Sequence, residues 1–376
     1  MRRFTALAAA ALALAAAAAP AAHADSIVFE RGGNVWLAAP DGSGAHQVTS
    51  SGGYSNPSQA NDGTIFAVKG NLIHRLSRSG RMLNLAGDPS GSGPLIASAA
   101  PGGALVAYHF NNTGSITPGL RTALSHADRQ TSNDDLFNIG GWINPSWIGD
   151  GTIVMFDGSE SFTGDTLIHR VGASGTQPWF EDSAASLSGG EVDTGVTRLA
   201  ATDGATIRLY RLTGPPPALP VFRCVISGGD GEYFRPTWSP DGSTLAWQQG
   251  NDIYSMPVNL DTCVGQSEFV TRGAAPDWGP AAPGKALTAK AAKRIRLAAL
   301  LKGLKVRVKC TCRAVGTLRL GSRRIGRKSK RVTRSGTLRV KPTRSGRARL
   351  LAGGKVVRLT VSGAGATVKR KVRVVR

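Results

Sequence analysis

Short runs in which apolar and polar residues alternate recur along residues 25–280, each bounded by Gly, Pro, Asn or Asp. This is the pattern of half-buried antiparallel strands. The clearest stretch is Thr237-Trp238-Ser239-Pro240-Asp241-Gly242-Ser243-Thr244-Leu245-Ala246-Trp247. Trp238 and Ser239 end one strand, and Leu245-Ala246-Trp247 lie in the next. Between them Pro240 presets φ for a turn, Asp241 caps it, and Gly242 supplies the positive φ that closes it. Asn251-Asp252-Ile253-Tyr254 then opens a third strand and Glu268-Phe269-Val270-Thr271 a fourth.

Weaker copies recur about every 40–49 residues, a period that points to the blade of a β-propeller. Asn56-Pro57-Ser58, Asp62-Gly63 and Thr64-Ile65-Phe66-Ala67 lead into Leu72-Ile73-His74-Arg75. Asn144-Pro145-Ser146-Trp147, Asp150-Gly151 and Thr152-Ile153-Val154-Met155 lead into Leu167-Ile168-His169-Arg170. Pro101–Ala107 and Val196–Ala201 are worn copies, and Asn111–Asn138 reads as an insertion into the third blade. The last copy stops early, at Ala275-Pro276-Asp277-Trp278-Gly279-Pro280, while Ser26–Glu30 begins as a second strand. Pairing the two ends closes a ring and protects its sheet edges. The count is then six four-stranded blades over residues 25–280.

These residues resemble a known group. Trp238-Ser239-Pro240-Asp241-Gly242 followed by Asn251-Asp252-Ile253-Tyr254 is similar to the TolB-type or WD-like propeller repeat of exported bacterial proteins. The resemblance covers the whole of residues 25–280 and implies a protein-binding scaffold of the periplasm or envelope.

Composition divides the chain further. Residues 285–376 carry 30 Lys and Arg and no Asp or Glu, whereas residues 1–284 carry 16 basic and 24 acidic residues. Gly279-Pro280-Ala281-Ala282-Pro283-Gly284 sits at the change and reads as a linker. Beyond it, Leu287–Leu304 has the composition of a helix of about four turns, with Thr288 as N-cap. Lys305–Lys309, Thr317–Leu320, Thr337–Val340, Val356–Val361 and Lys371–Val374 alternate with period two, giving strands with an apolar and a cationic face. The expected architecture is all-β: a six-bladed propeller over 25–280, a linker and helix over 281–304, and a small basic β-sandwich over 305–376, with the immunoglobulin arrangement as one option.

At the N-terminus, Arg2 and Arg3 precede the Ala/Leu run Ala6–Ala19 and the small-residue pattern Ala22-His23-Ala24, the features of a cleaved signal peptide over residues 1–24. That run is shorter than the roughly 20 residues a membrane span needs. A secreted or periplasmic chain with four cysteines is expected to form two disulfides, and Cys224–Cys263 with Cys310–Cys312 keeps each within one domain. An extended i, i+2 pair such as Cys310 and Cys312 barely meets disulfide geometry.

Chemistry is sparse. Trp147, Trp238 and Trp278 occupy equivalent first-strand positions and could form an aromatic ring facing the channel for a partner; the alternative is packing between blades. His74 and His169 share a Leu-Ile-His-Arg context, but blades two and four are too far apart for a common metal. Asp41, Asp62, Asp150, Asp203 and Asp241 precede Gly as turn residues, without a calcium loop. His109 and His126 flank the third-blade insertion. No Gly-x-Ser-x-Gly elbow is present, so no catalytic, metal or cofactor-binding residue is expected. The sequence therefore reads as a non-enzymatic exported scaffold for a protein or peptide, with a cationic module for an anionic envelope polymer. Specific nucleic-acid binding is not expected, because no aromatic residue interleaves the basic strands. The alternative is a hydrolase or lyase at the channel, which would need convergent carboxylates or histidines at one mouth.

Overall fold

The computed structural model describes residues 25–376 apart from 88–92, 113–118, 132–135, 158–164, 229, 264, 284–287, 310–311, 333–334 and 364–365. The expected signal peptide and Cys310 lie outside the described residues, so the Cys310–Cys312 pairing does too.

Residues 26–279 form six consecutive four-stranded sheets, antiparallel throughout. Five run in simple sequence order; in the first, Ala274–Gly279 pairs with Ser26–Arg31 from the other end of the segment. The six inner strands are Ala274–Gly279, Tyr54–Gln59, Pro94–Ala99, Trp142–Ile148, Gly189–Val192 and Tyr233–Trp238. Each neighbours the next, and the sixth neighbours the first, so they close a ring. This is the arrangement of a β-propeller, in which every sheet edge at the centre is covered by the next sheet.

Polar side chains fasten each seam between sheets. Gln59 N–H donates to Asp277 Oδ2 at 3.2 Å, and Ala99 N–H to Ser58 Oγ at 2.9 Å. Thr122 Oγ1 donates to Trp142 O at 2.8 Å, and the Asn144 amide to Ser188 O. Trp238 N–H donates to Glu191 Oε1 at 3.1 Å, and Trp278 N–H to Thr237 Oγ1 at 3.0 Å. Between these contacts the wedges are filled by apolar clusters drawn from adjacent sheets, such as Ala200, Leu209, Trp238 and Trp247.

Most of the described residues of Asn111–Asn138 belong to the third sheet rather than to an insertion. The segment completes the strand Leu105–Asn112, supplies all of Gly119–His126, and begins Phe137–Gly140. Small polar residues hide the alternation there, since Thr122 and Ser125 are fully buried despite their hydroxyls.

The basic C-terminal segment folds as a three-stranded and a five-stranded sheet that share one apolar core. The helix expected over Leu287–Leu304 is confined to Leu297–Lys302. Thr288–Ala291 is instead a strand paired with Leu304–Lys309, and Arg294–Arg296 runs parallel to Arg373–Val375. Strand pairing satisfies the backbone along a segment whose Ala and Lys content alone favours a helix. A further strand, Arg323–Val332, and a helix, Arg344–Leu351, complete the unit.

Candidate site in the central channel

The inner strands owe their shape to a repeated kink. Asn56, Asn144, Arg235 and Ala275 each precede a proline and hold positive φ, from 44° to 51°. In all four the register against the neighbouring strand shifts at that point. The bulge turns the strand and re-aims the residue before proline. Three of these residues, Asn56, Asn144 and Arg235, line a cavity of about 380 Å³ at the centre of the ring, to which all six sheets contribute. Larger depressions, of about 420 and 770 Å³, lie near Asp261 and at the C-terminal end. The first is lined by the fifth sheet and a loop of the sixth, the second by the last two strands of the C-terminal unit and the turn before them.

Charge gathers at the centre. Glu191 of the fifth sheet, Arg235 of the sixth and Asp277 of the first all line the cavity. Each is encircled by protein yet keeps partial access to the channel. Burial pushes the Glu191 carboxyl above the usual glutamate range, and the neighbouring Asp277 charge adds to that; the Trp238 N–H, the Thr237 hydroxyl and Arg235 pull it back. Asp277 is raised by burial and opposed by Arg235 and the Gln59 N–H. Arg235 is lowered by burial and supported by both carboxylates. The channel therefore presents two carboxyls pushed upward by burial beside a guanidinium whose charge both support.

His109 lies next to this cluster, only 6% exposed, with neither ring nitrogen in a close hydrogen bond. Burial brings it down to about 4, the Asn144 side chain opposing and the Arg235 charge reinforcing the shift. His126 ends the adjacent strand, Gly119–His126.

The tryptophans are elsewhere. Trp147, Trp238 and Trp278 are buried at the seams and none lines the cavity. Their indole N–H groups donate to Ser98 O at 3.0 Å, Glu191 O at 3.1 Å and Asp25 Oδ2 at 2.8 Å. A large aromatic fills the wedge between radial sheets, and its one donor is satisfied by the neighbouring backbone or carboxylate. His74 pairs with the Tyr54 hydroxyl at 3.2 Å, whereas His169, two sheets away, meets Gly175 O at 3.1 Å. Asp41, Asp62, Asp203 and Asp241 accept N–H groups within their own turns. Asp150 accepts the Gly102 N–H of the neighbouring sheet at 2.6 Å. Among the described residues no group of three or more His, Cys, Asp or Glu could hold a metal. Cys224 and Cys263 are joined, with Cα atoms 6.0 Å apart, tying the fifth sheet to the loop after the third strand of the sixth.

Sequence reading did not single out Glu191, Arg235 or Asp277. A signal for Arg235 and Asp277 was present in the residue–proline pairs Asn56-Pro57, Asn144-Pro145, Arg235-Pro236 and Ala275-Pro276, which recur at one point of the repeat; Glu191 had none.

No protein-family model and no curated protein matches the chain. Similar solved structures include a putative TolB from Agrobacterium tumefaciens, 11% identical over 67% of this chain and 91% of that one, with a TM-score of 0.47. Another is the Swd1 β-propeller domain from Myceliophteria thermophila, 8% identical over 71% and 90%, TM-score 0.45. An oligogalacturonate lyase in complex with manganese is 12% identical over 64% and 70%, TM-score 0.45. At these identities and scores the likenesses concern backbone course, and no activity is carried over from them.

Proposed function

We propose that this protein is an exported six-bladed β-propeller that binds a protein or peptide partner at its central channel and carries a cationic β-sandwich, from about Thr288 onward, for an anionic envelope polymer. One observation carries the channel reading: Glu191, Arg235 and Asp277, from three different sheets, meet in a cavity to which all six contribute. Polar groups fixed on rigid inner strands and flanked by Pro145, Pro236 and Phe234 make a site that holds the polar end of a segment and packs its apolar part. The disulfide agrees with export. No helix among the described residues is long and apolar enough to cross a membrane.

The test is capture from envelope extracts by the full mature chain and by its R235Q/D277N variant. The captured segment is then synthesised and its affinity measured by calorimetry. Loss of binding in the variant, with an unchanged melting curve, supports the channel; equal binding by both removes it.

A second reading has its own observation. Two carboxyls that face one cavity, Glu191 and Asp277, both pushed upward by burial, are the raw material of acid–base catalysis. A turnover assay on envelope glycans and peptides, repeated with Glu191→Gln, decides between the two: catalysis lost on that substitution favours a hydrolase or lyase.

A further inference from the structure

The five-stranded sheet of the cationic unit carries a feature that its strand register alone creates. Arg324 stands opposite Arg319 just past a shift of register at Ile325, Arg319 opposite Arg358, and Arg358 opposite Lys371. All four side chains are exposed. Leu318, Leu359 and Val372, next to them along the strands, are fully buried, so the four cations share the outward face. Strands lie about 4.8 Å apart, which makes an unbroken line of four positive charges crossing four strands. That spacing is well inside a screening length of about 8 Å, so each charge feels the next. Like charges directly opposite one another destabilise a sheet, and residues 285–376 hold no acid to relieve them. Thr317 and Thr360, opposite each other and half-buried, add hydroxyls beside the row.

We infer that this row is the binding track of the unit, and that its occupant is a linear phosphate-bearing polymer lying across the strands. The proposal rests on the reading of the unit as a module for anionic polymer and names the face and the chemistry. Three arginines favour phosphate, because the guanidinium fork donates two parallel hydrogen bonds to its oxygens. One nitrogen of Arg319 is held by Ser322 O at 2.9 Å, which orients that fork. Residues 285–376 contain no Phe, Tyr or Trp. Nucleobases therefore have no aromatic face to stack on, and a bilayer has no interfacial aromatic to anchor it.

The experiment uses the full mature chain and medium-length inorganic polyphosphate, read by calorimetry over a salt series. One variant neutralises the row (R319Q, R324Q, R358Q and K371Q). A control removes the same charge from exposed positions on the smaller sheet (K290Q, K305Q, R307Q and R339Q). The row variant should bind at least about tenfold more weakly and show a shallower salt dependence, with the control close to wild type. The row variant should also melt no lower than wild type, since it relieves repulsion, so weaker binding is not misfolding. Equal weakening in both variants overturns the track while leaving the module reading in place. Absence of polyphosphate binding by the unmodified chain at low salt overturns both. Binding to anionic phospholipid vesicles without binding to polyphosphate overturns the polymer as occupant.

Discussion

The indole N–H of Trp278 donates to Asp25 Oδ2 at 2.8 Å, joining residues 253 positions apart in the chain. Around this contact the two ends of the ring are clasped. The Gln59 amide donates to Ser26 O and Asp277 O, and Arg78 donates to Gln59 Oε1, Ser26 Oγ and Ala281 O. Closure thus depends on three sequence-distant stretches meeting at one seam.

Trp278→Ala should cost about 3–5 kcal/mol, the range for a large aromatic lost from a packed wedge. Asp25→Ala should cost about 1 kcal/mol, for a single hydrogen bond. Urea unfolding checks both, with Leu219→Ala, 62% exposed, as the neutral control. A Trp278 variant no weaker than the control would mean that the seam does not hold the ring.

Opening the Cys224–Cys263 bond should lower stability by up to about 4 kcal/mol in the chain-entropy account, given a separation of 39 residues. The double Cys→Ala variant, compared with wild type in the presence and absence of reductant, measures the effect. Reductant should destabilise wild type more than it does the variant.

His109 gives a pH dependence of definite sign. Its native pKa lies below the unfolded value, so between about 6.5 and about 4 the unfolded chain binds more protons. Stability is fully present above about 6.5 and falls as the pH drops through that window, by up to about 3 kcal/mol. His109→Gln should flatten that part of the profile of unfolding free energy against pH.

Glu191 acts with the opposite sign. Its native pKa is raised, so from the ordinary carboxylate range upward the folded chain holds the extra proton. Its contribution is fully present below the unfolded pKa and is lost as pH rises through the native one. Glu191→Gln imitates the protonated form, and its stability advantage over wild type should grow toward alkaline pH. An unchanged difference across pH would mean that Glu191 is ionised throughout.

Gly242 tests the sharpest turn of the repeat. Its φ is 70°, and a Cβ there would come within 2.7 Å of Asp193 Oδ2 across the seam. Gly242→Ala should therefore destabilise by more than the roughly 1 kcal/mol of backbone strain alone, measured by urea unfolding.

Much of the ring was legible in residue order because its determinants are local. Pro240-Asp241-Gly242 dictates a turn wherever it occurs, and Leu245-Ala246-Trp247 alternates as a buried second strand must. The truncated copy at Ala275–Gly279 implied its own partner, because an unpaired strand edge is costly. Legibility failed where side chains broke the alternation. Thr122 and Ser125 are polar and fully buried, so their strand passed for an insertion. Arg323–Val332 was not among the expected strands, and it becomes one by pairing with Cys312–Leu320. Thr343 caps the helix Arg344–Leu351 by accepting the Gly346 N–H, in a segment whose charge density masked the signal.

The order of residues by itself determined the turns, the repeat, its alternating strands and the division between acidic and basic parts, because each follows from neighbours a few positions apart. Tertiary structure alone decided which side chains meet. Glu191, Arg235 and Asp277 are scattered over 86 positions, and closing the ring brings them into one confined space where burial raises both carboxyls and lowers the guanidinium. The tryptophans went the other way: equivalent in sequence, they were drawn into the seams because the space between radial sheets demands bulk. Register did the same for Arg324, Arg319, Arg358 and Lys371, since hydrogen bonding between strands aligns cations that their own repulsion would keep apart.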